Sequence, residues 1–432
     1  MLNRIFKYQF ATATHTPLCI IGGGTASLNV TAQLSHRKGI NLSHIRVFDP
    51  SRFHYYQPSW TMVGGGLYDA EKSYRTQQSL FNKKINFNFN AVTKVIPEQN
   101  KFITDDGREW TYDHLIISTG IKVDFKGIKG LKEALDDPNC PVGSIYWKDY
   151  ATKFNQFAKE FKGGKAVFTE PQMPIKCGGA PQKVLYLNEE RFRRNGVRNQ
   201  TSIEFHKTIP VVFGVPKYSA SLAEIIKQKN IDLHLKSKLV EVRGQDRVAV
   251  FENQDNKVLT EVKFDLLHAV PPQTAPKFIA ESGLGDASGF VDVDKQTLLH
   301  KKYKNVWAIG DSSNLPTSKT AAAVMSQTPI LVDNLLHIWK QKNSEASLPQ
   351  KYEGYTSCPI FTGDKKLILA EFKYDSVVDE TFYRHQDKPH RLFYHLKKDF
   401  FPFAYWNLMA RGIWYGREGI LPHFLKTITN TF

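Results

Sequence analysis

Residues 17–21 form an apolar run that ends in Gly22-Gly23-Gly24, and residues 26–38 then repeat apolar positions at helical spacing. The pattern predicts a buried strand, a tight turn and a helix, followed by a second strand at Ile45–Phe48 closed by Asp49-Pro50. Short apolar runs recur at 115–118, 166–168, 203–205, 211–213 and 306–309, with helix-like stretches at 181–194 and 219–229. Strands alternating with helices predict an α/β fold of doubly wound units. A polar stretch, 340–350, is expected to separate this body from an aromatic, basic tail. No apolar run approaches the ~20 residues needed to span a bilayer, which excludes a polytopic membrane protein.

The 432 residues are 41% hydrophobic and 23% charged, the composition of a soluble globular chain. At ~150 residues per domain they fit about three units. The net charge of +16 is uneven: no acidic residue precedes Asp49, and residues 391–432 carry six Lys or Arg against Asp399 and Glu418. No nucleic-acid reading module accompanies the basic ends, so a membrane surface or a small anion is favoured as partner and no nucleic acid is expected. The N-terminal sixteen residues are basic, hydroxyl-rich and acid-free, with Leu2, Ile5 and Phe6 able to share a helix face. They read either as an organellar transit segment or as a frayed tail before the first strand. Four cysteines, Cys19, Cys140, Cys177 and Cys358, stand far apart without metal-ligand spacing, so no metal site is expected.

Gly22-Gly23-Gly24-Thr25-Ala26-Ser27 matches a dinucleotide turn with Ser27 in the last glycine position. Its glycines allow a tight turn and let backbone N–H groups reach a pyrophosphate at the helix N-terminus. Asp49, at the end of the second strand, is placed to accept hydrogen bonds from ribose hydroxyls. A strand ending in Ser118-Thr119-Gly120, and another ending in Gly310-Asp311 before a helix at Ala321, Ala322, Ala323 and Val324, complete a set of three. Together they resemble the motifs of flavoproteins with two Rossmann-like dinucleotide-binding domains, which implies the FAD/NAD(P)-binding flavoprotein fold and FAD as cofactor. The second such domain lacks its glycine cradle. Its strand continues as Glu170-Pro171-Gln172-Met173-Pro174-Ile175-Lys176-Cys177, so a nicotinamide nucleotide should bind poorly and electrons should enter at Cys177.

These residues resemble one family over nearly the whole chain: the sulfide:quinone oxidoreductases of the mitochondrial eukaryotic type. The resemblance is carried by Tyr55-Tyr56-Gln57-Pro58, by Lys176 to Lys183, by Leu315 to Ala323 after Gly310-Asp311, and by Tyr355-Thr356-Ser357-Cys358-Pro359. It implies that Cys177 and Cys358 are the redox pair. It also implies that Gly22, Gly24, Thr25, Ala26, Asp49, Gln57, Val92, Gly120, Asp311, Lys319 and Ala321 to Val324 hold FAD. The division it implies is a transit segment at 1–16, an FAD domain at 17–125 and 291–345, a second Rossmann-like domain at 126–290, and a quinone and membrane region at 346–432.

On this reading hydrosulfide attacks the bridged cysteines. Two electrons then pass through FAD to ubiquinone, and a small nucleophile such as glutathione, sulfite or sulfide removes the sulfane sulfur. Lys176, next to Cys177, is the neighbouring cation expected to favour thiolate. In the tail, Phe400, Phe401, Phe403, Tyr405, Trp406, Trp414 and Tyr415 alternate with Lys397, Lys398, Arg411 and Arg417, with Pro402 and Gly412 breaking it into short helices. The pattern suits an amphipathic, aromatic face laid on one leaflet of the inner mitochondrial membrane, on the matrix side, or else an ordinary core contact. Phe361 and Phe400, Phe401 and Phe403 are the expected quinone lining. An NADH:quinone oxidoreductase of the same fold and a catalytically silent flavin-containing subunit stand as rivals.

Overall fold

The computed structural model describes residues 13–341, 347–382 and 385–419. The first sheet is built on Thr14–Ile21, which begins three residues before the expected run. It pairs in parallel with Ile45–Phe48 on one side and Glu109–Ile117 on the other. Asn86–Asn88 adds a parallel strand beyond Ile45–Phe48, and Val306–Ala308 returns from late in the chain to pair in parallel with Glu109–Ile117. An antiparallel edge, Lys101–Thr104 and Val92–Ile96, completes it. Leu18, Cys19, Ile20, Leu115, Ile116 and Ile117 are all fully buried, because both faces of a parallel sheet are covered. Cys19 is therefore a packing residue, and burial raises its thiol pKa to about 12.

A second sheet of five parallel strands follows the order Val142–Gly143, Leu266–His268, Gly164–Glu170, Thr201–Lys207, Asp232–Leu235. The helices Lys148–Glu160, Ala180–Arg194 and Pro216–Gln228 pack with it. Residues 211–213, expected as a strand, form a bent loop between Pro210 and Pro216. Val212 and Phe213 are buried there, so the apolar signal was real. The Val212 carbonyl accepts from Gln182 Nε2 at 2.6 Å in place of a ladder partner.

The polar stretch at 340–350 does not separate two bodies. Helix Ala321–Gln341 runs through its first residues, and Asn334 then exchanges hydrogen bonds of 2.9 and 3.0 Å with the backbone of Gln350. Beyond it, the hairpin Thr356–Gly363 and Lys366–Phe372 enters the same core cluster as Val184 and Leu185. Residues 391–409 then form one helical run in which Leu396–Phe400 and Tyr405–Met409 are wide π turns. Pro402 sits within this run rather than breaking it, at the start of the helical turn that follows the first wide one, where its missing N–H is tolerated.

At the C-terminal ends of two neighbouring strands, Glu170 and Lys207 form an ion pair in which both side chains are fully buried. Lys207→Met strands a carboxylate in the core and is expected to cost about 3–5 kcal/mol, whereas Glu170→Gln with Lys207→Met costs much less. Thermal unfolding of the three proteins checks the order.

Candidate active site

The first strand hands over to its helix through Gly22, whose φ of +100° and close approach to the Ser118 carbonyl admit no side chain. Helix Thr25–Ser35 starts at Gly24 without a side-chain cap, leaving its first N–H groups to another acceptor. A Cβ on Gly24 or on Gly120 would meet nothing within 4 Å, and the buried Thr119 hydroxyl finds no partner. Asp49 accepts from the Gly23 N–H at 2.6 Å and the Ser51 N–H at 2.7 Å, which ties the second strand to the turn. Open glycines, an uncapped helix and an orphaned hydroxyl fit a dinucleotide lying along this edge. Ala26 is buried at the start of the helix.

Gly310-Asp311 follows the returning strand, and the Gly310 N–H is held by Gln327 Oε1 at 2.8 Å. The Lys319 ammonium is fastened to the carbonyls of Asp311 and Ser313 at 2.8 and 3.0 Å, and burial lowers its pKa to about 8. Ala321, Ala322, Ala323 and Val324 open the long helix beside it. Val92 is buried in the same core as the first strand.

Cys177 and Cys358 lie 181 positions apart in the chain and 3.4 Å apart between sulfurs, both as free thiols. Cys177 occupies a left-handed turn, φ +50°, and its N–H is bonded to the Lys319 carbonyl at 2.8 Å. Helix Ala180–Arg194 begins three residues later, and its capping Gly179 lies against the other sulfur. A Cβ there would stand 2.6 Å from Cys358 Sγ, so glycine is required. Cys358 comes from the middle of the hairpin strand Thr356–Gly363, fixed at its start by Thr320 and Thr356 hydroxyls 2.8 Å apart.

The cation at Cys177 is Lys183, not the expected Lys176. Lys183 Nζ donates to Cys177 Sγ at 3.0 Å from the first turns of the helix, while Lys176 reaches Gln57 Oε1 at 2.8 Å. The chain turns sharply at Cys177, so the adjacent side chain points away and one six residues on comes back over the sulfur. The Cys358 thiol and the Lys183 ammonium both hold the Cys177 pKa well below its ordinary value, whereas the Cys177 charge and burial push Cys358 well above it. The two sulfurs are therefore unequal, and Cys177 is the one favoured as thiolate.

Lys397, expected on a basic rim, is buried. Its ammonium faces the Pro58 carbonyl at 3.4 Å and the Tyr56 ring, and burial together with Lys183 lowers its pKa to about 7. Phe361 is also fully buried, against Tyr394 and Met62. Phe400 and Phe403 are exposed and Phe401 is half-buried, so the four aromatics do not form one cluster. Phe403 and Trp406 line a cleft of about 390 Å³ with Tyr68, Arg75 and Arg411.

One further link has no signature in the residue pattern. Tyr405 OH lies 2.8 Å from Thr25 Oγ1 and 2.6 Å from His54 Nε2, and His54 Nδ1 lies 3.1 Å from the Gly23 carbonyl. Burial lowers the His54 pKa to about 4, so the ring is neutral and bonds on both sides.

A family model described as pyridine nucleotide-disulphide oxidoreductase matches residues 16–152. The chain is 43% identical to the mitochondrial sulfide:quinone oxidoreductase of Schizosaccharomyces pombe, over 96% of this chain and 95% of that one. Among solved structures it resembles a chain of the Tetrahymena thermophila mitochondrial ATP synthase, with TM-score 0.82 and 21% identity, covering 94% of this chain and 98% of that one. It also resembles the sulfide:quinone oxidoreductase of Aquifex aeolicus, with TM-score 0.74 and 18% identity, covering 97% and 95%. The two structural likenesses speak to the fold, which is the α/β architecture expected from the sequence.

The thiolate assignment is testable by alkylation of Cys177 with iodoacetamide across pH. The wild-type rate should have its midpoint well below the ~8.5 of a free thiol. Lys183→Met should move that midpoint up by at least about one unit, slowing alkylation by roughly tenfold at pH values below the wild-type midpoint.

Proposed function

The chain belongs to the sulfide:quinone oxidoreductase family, whose members are flavin-dependent oxidoreductases, and we propose that its turnover runs through the Cys177–Cys358 pair. The observation that carries this reading is the 3.4 Å separation of the two sulfurs beside the Lys183 ammonium. A direct disulfide needs ~2.05 Å, whereas two such bonds meeting at a bridging sulfur span about 3.3 Å. The pair can thus accept a bridging sulfur with little movement.

Hydrosulfide attacks the Cys358 side of the bridged pair. A new S–S bond forms on Cys358, the bond from Cys358 to the bridging sulfur breaks, and its electron pair leaves on the bridging sulfur still held by Cys177. Lys183 favours this direction, since a sulfur whose anion is stabilised leaves faster. Lys183 and Lys397 also draw the anionic substrate in, so no general base is assigned. A second nucleophile, glutathione, sulfite or sulfide, then removes the sulfane sulfur from Cys358.

FAD is the flavin we assign. Gly22, Gly24, Thr25, Ala26, Asp49 and Gly120 would hold its nucleotide end, and Gln57, Val92, Asp311, Lys319 and Ala321 to Val324 the remainder. The chemistry it supplies is acceptance of two electrons from sulfur and their delivery to quinone. NADH is disfavoured as donor, because the second sheet presents the buried Glu170–Lys207 pair at its strand ends, where a nucleotide phosphate would need N–H groups.

Ubiquinone, in this reading, arrives from the inner mitochondrial membrane through the C-terminal helices, whose exposed Phe400 and Phe403 meet the bilayer from the matrix side. Among the described residues no helix is long and apolar enough to cross a membrane.

Sulfide added anaerobically to the purified protein should bleach the flavin absorbance, and a ubiquinone analogue should restore it. Cys177→Ser and Cys358→Ser should each abolish bleaching by sulfide. Bleaching by NADH with none by sulfide would transfer the chain to the NADH-linked class, and a flavin-loaded protein inert to both donors would make it a silent subunit.

A further inference from the structure

The second parallel sheet carries a group of side chains unconnected with the cysteine pair. Strand Thr201–Lys207 contributes Glu204 and His206, and its neighbour Asp232–Leu235 contributes Asp232 and His234. The register sets Glu204 beside Asp232 and His206 beside His234, so the two-residue period of a strand puts all four on one face.

One donor atom from each of Glu204, His206 and His234 lies within 4.8 Å of the others. Glu204 Oε2 is 3.0 Å from His206 Nε2, and Asp232 Oδ2 is 3.1 Å from His234 Nε2. Within each strand these separations approach the ~3.3 Å between neighbouring donors on a tetrahedral zinc ion, and across the two strands the donors of Glu204, His206 and His234 stay within 4.8 Å.

Three features mark the group as more than a surface ion pair. His206 is buried between the Phe251 ring at 3.7 Å and the His234 ring at 4.3 Å, which fixes its plane. Its Nδ1 is bonded to Ser237 Oγ at 2.8 Å, the outer contact that commits a ligating histidine to its other nitrogen. His234 Nε2 is shut off from solvent and makes no hydrogen bond, although Asp232 stands beside it. The Lys165 ammonium takes the other oxygen of Glu204, so two carboxylates face one lysine, a net negative charge that suits a dication.

We propose that Glu204, His206 and His234, with Asp232 in reach, form a site for a divalent transition metal of the zinc type. The mixed imidazole and carboxylate donors favour such a cation over calcium or magnesium. Bound there, it would cross-link two neighbouring strands of the second sheet and leave the sulfide chemistry untouched. Sequence spacing hides the site, because Glu204-x-His206 and Asp232-x-His234 are each a common pair and only strand pairing joins them.

The test uses the tag-free, flavin-loaded, chelator-stripped protein titrated with zinc sulfate by calorimetry, with bound metal counted after gel filtration. Cys177→Ser/Cys358→Ser runs alongside because thiols also bind zinc. One equivalent should be retained in the cysteine variant and lost in His234→Ala, with Asp232→Asn weakening affinity by roughly 10–100-fold. Cobalt in the same site should give visible d–d bands without thiolate charge transfer. Zinc that disappears with the cysteines, or persists unchanged in a folded His234→Ala protein, would overturn the proposal. If His234→Ala loses its flavin or its thermal transition, His234→Gln is read in its place.

Discussion

Holding two sulfurs 3.4 Å apart across 181 residues is the constraint on which much of this structure depends. Cys177 must leave a parallel strand through a left-handed turn, and Cys358 must arrive on a hairpin packed against the helix that follows. Gly179 is the meeting point: any side chain there would push the sulfur pair apart. The Lys319 carbonyl pins the Cys177 backbone, and the Lys319 ammonium grips the turn at Asp311, so the cysteine pair and the Gly310-Asp311 turn share one residue. Burial would ordinarily keep both thiols protonated. The Cys358 thiol and the Lys183 ammonium reverse that for Cys177, so the two sulfurs are electrostatically unequal.

The fold was legible where local and tertiary demands agree. Ile45–Phe48 was read to the residue because a fully buried parallel strand is a plain apolar run with a turn at each end. Residues 211–213 failed for the complementary reason: burial makes a loop look like a strand, and only the flanking prolines hinted otherwise. Pro402 was read as a break, yet the wide turn before it lets the helix continue. The glycine turn, and the two cysteines that the fold brings together, were legible through motif and family likeness. Lys183 and Lys397 were not assigned to the sulfur site, since their role depends on how a turn at Cys177 and a distant helix place them. No periodicity in the chain encodes that.

The contact between Tyr405, His54 and Thr25 joins the C-terminal helices to the Gly22-Gly23-Gly24 turn. Gly412 packs against the backbone of Ala32 on the same helix, and His36 Nε2 lies 2.7 Å from the Arg411 carbonyl. The exposed Phe400 and Phe403 thus ride on a body that is bolted to the Thr25–Ser35 helix at several points along its length. Any surface that receives those two rings sets the tilt of that helix relative to itself. The arrangement works as a jig rather than a tether: distance and angle from that surface to the Cys177–Cys358 pair are built into the protein and do not have to be found anew at each encounter.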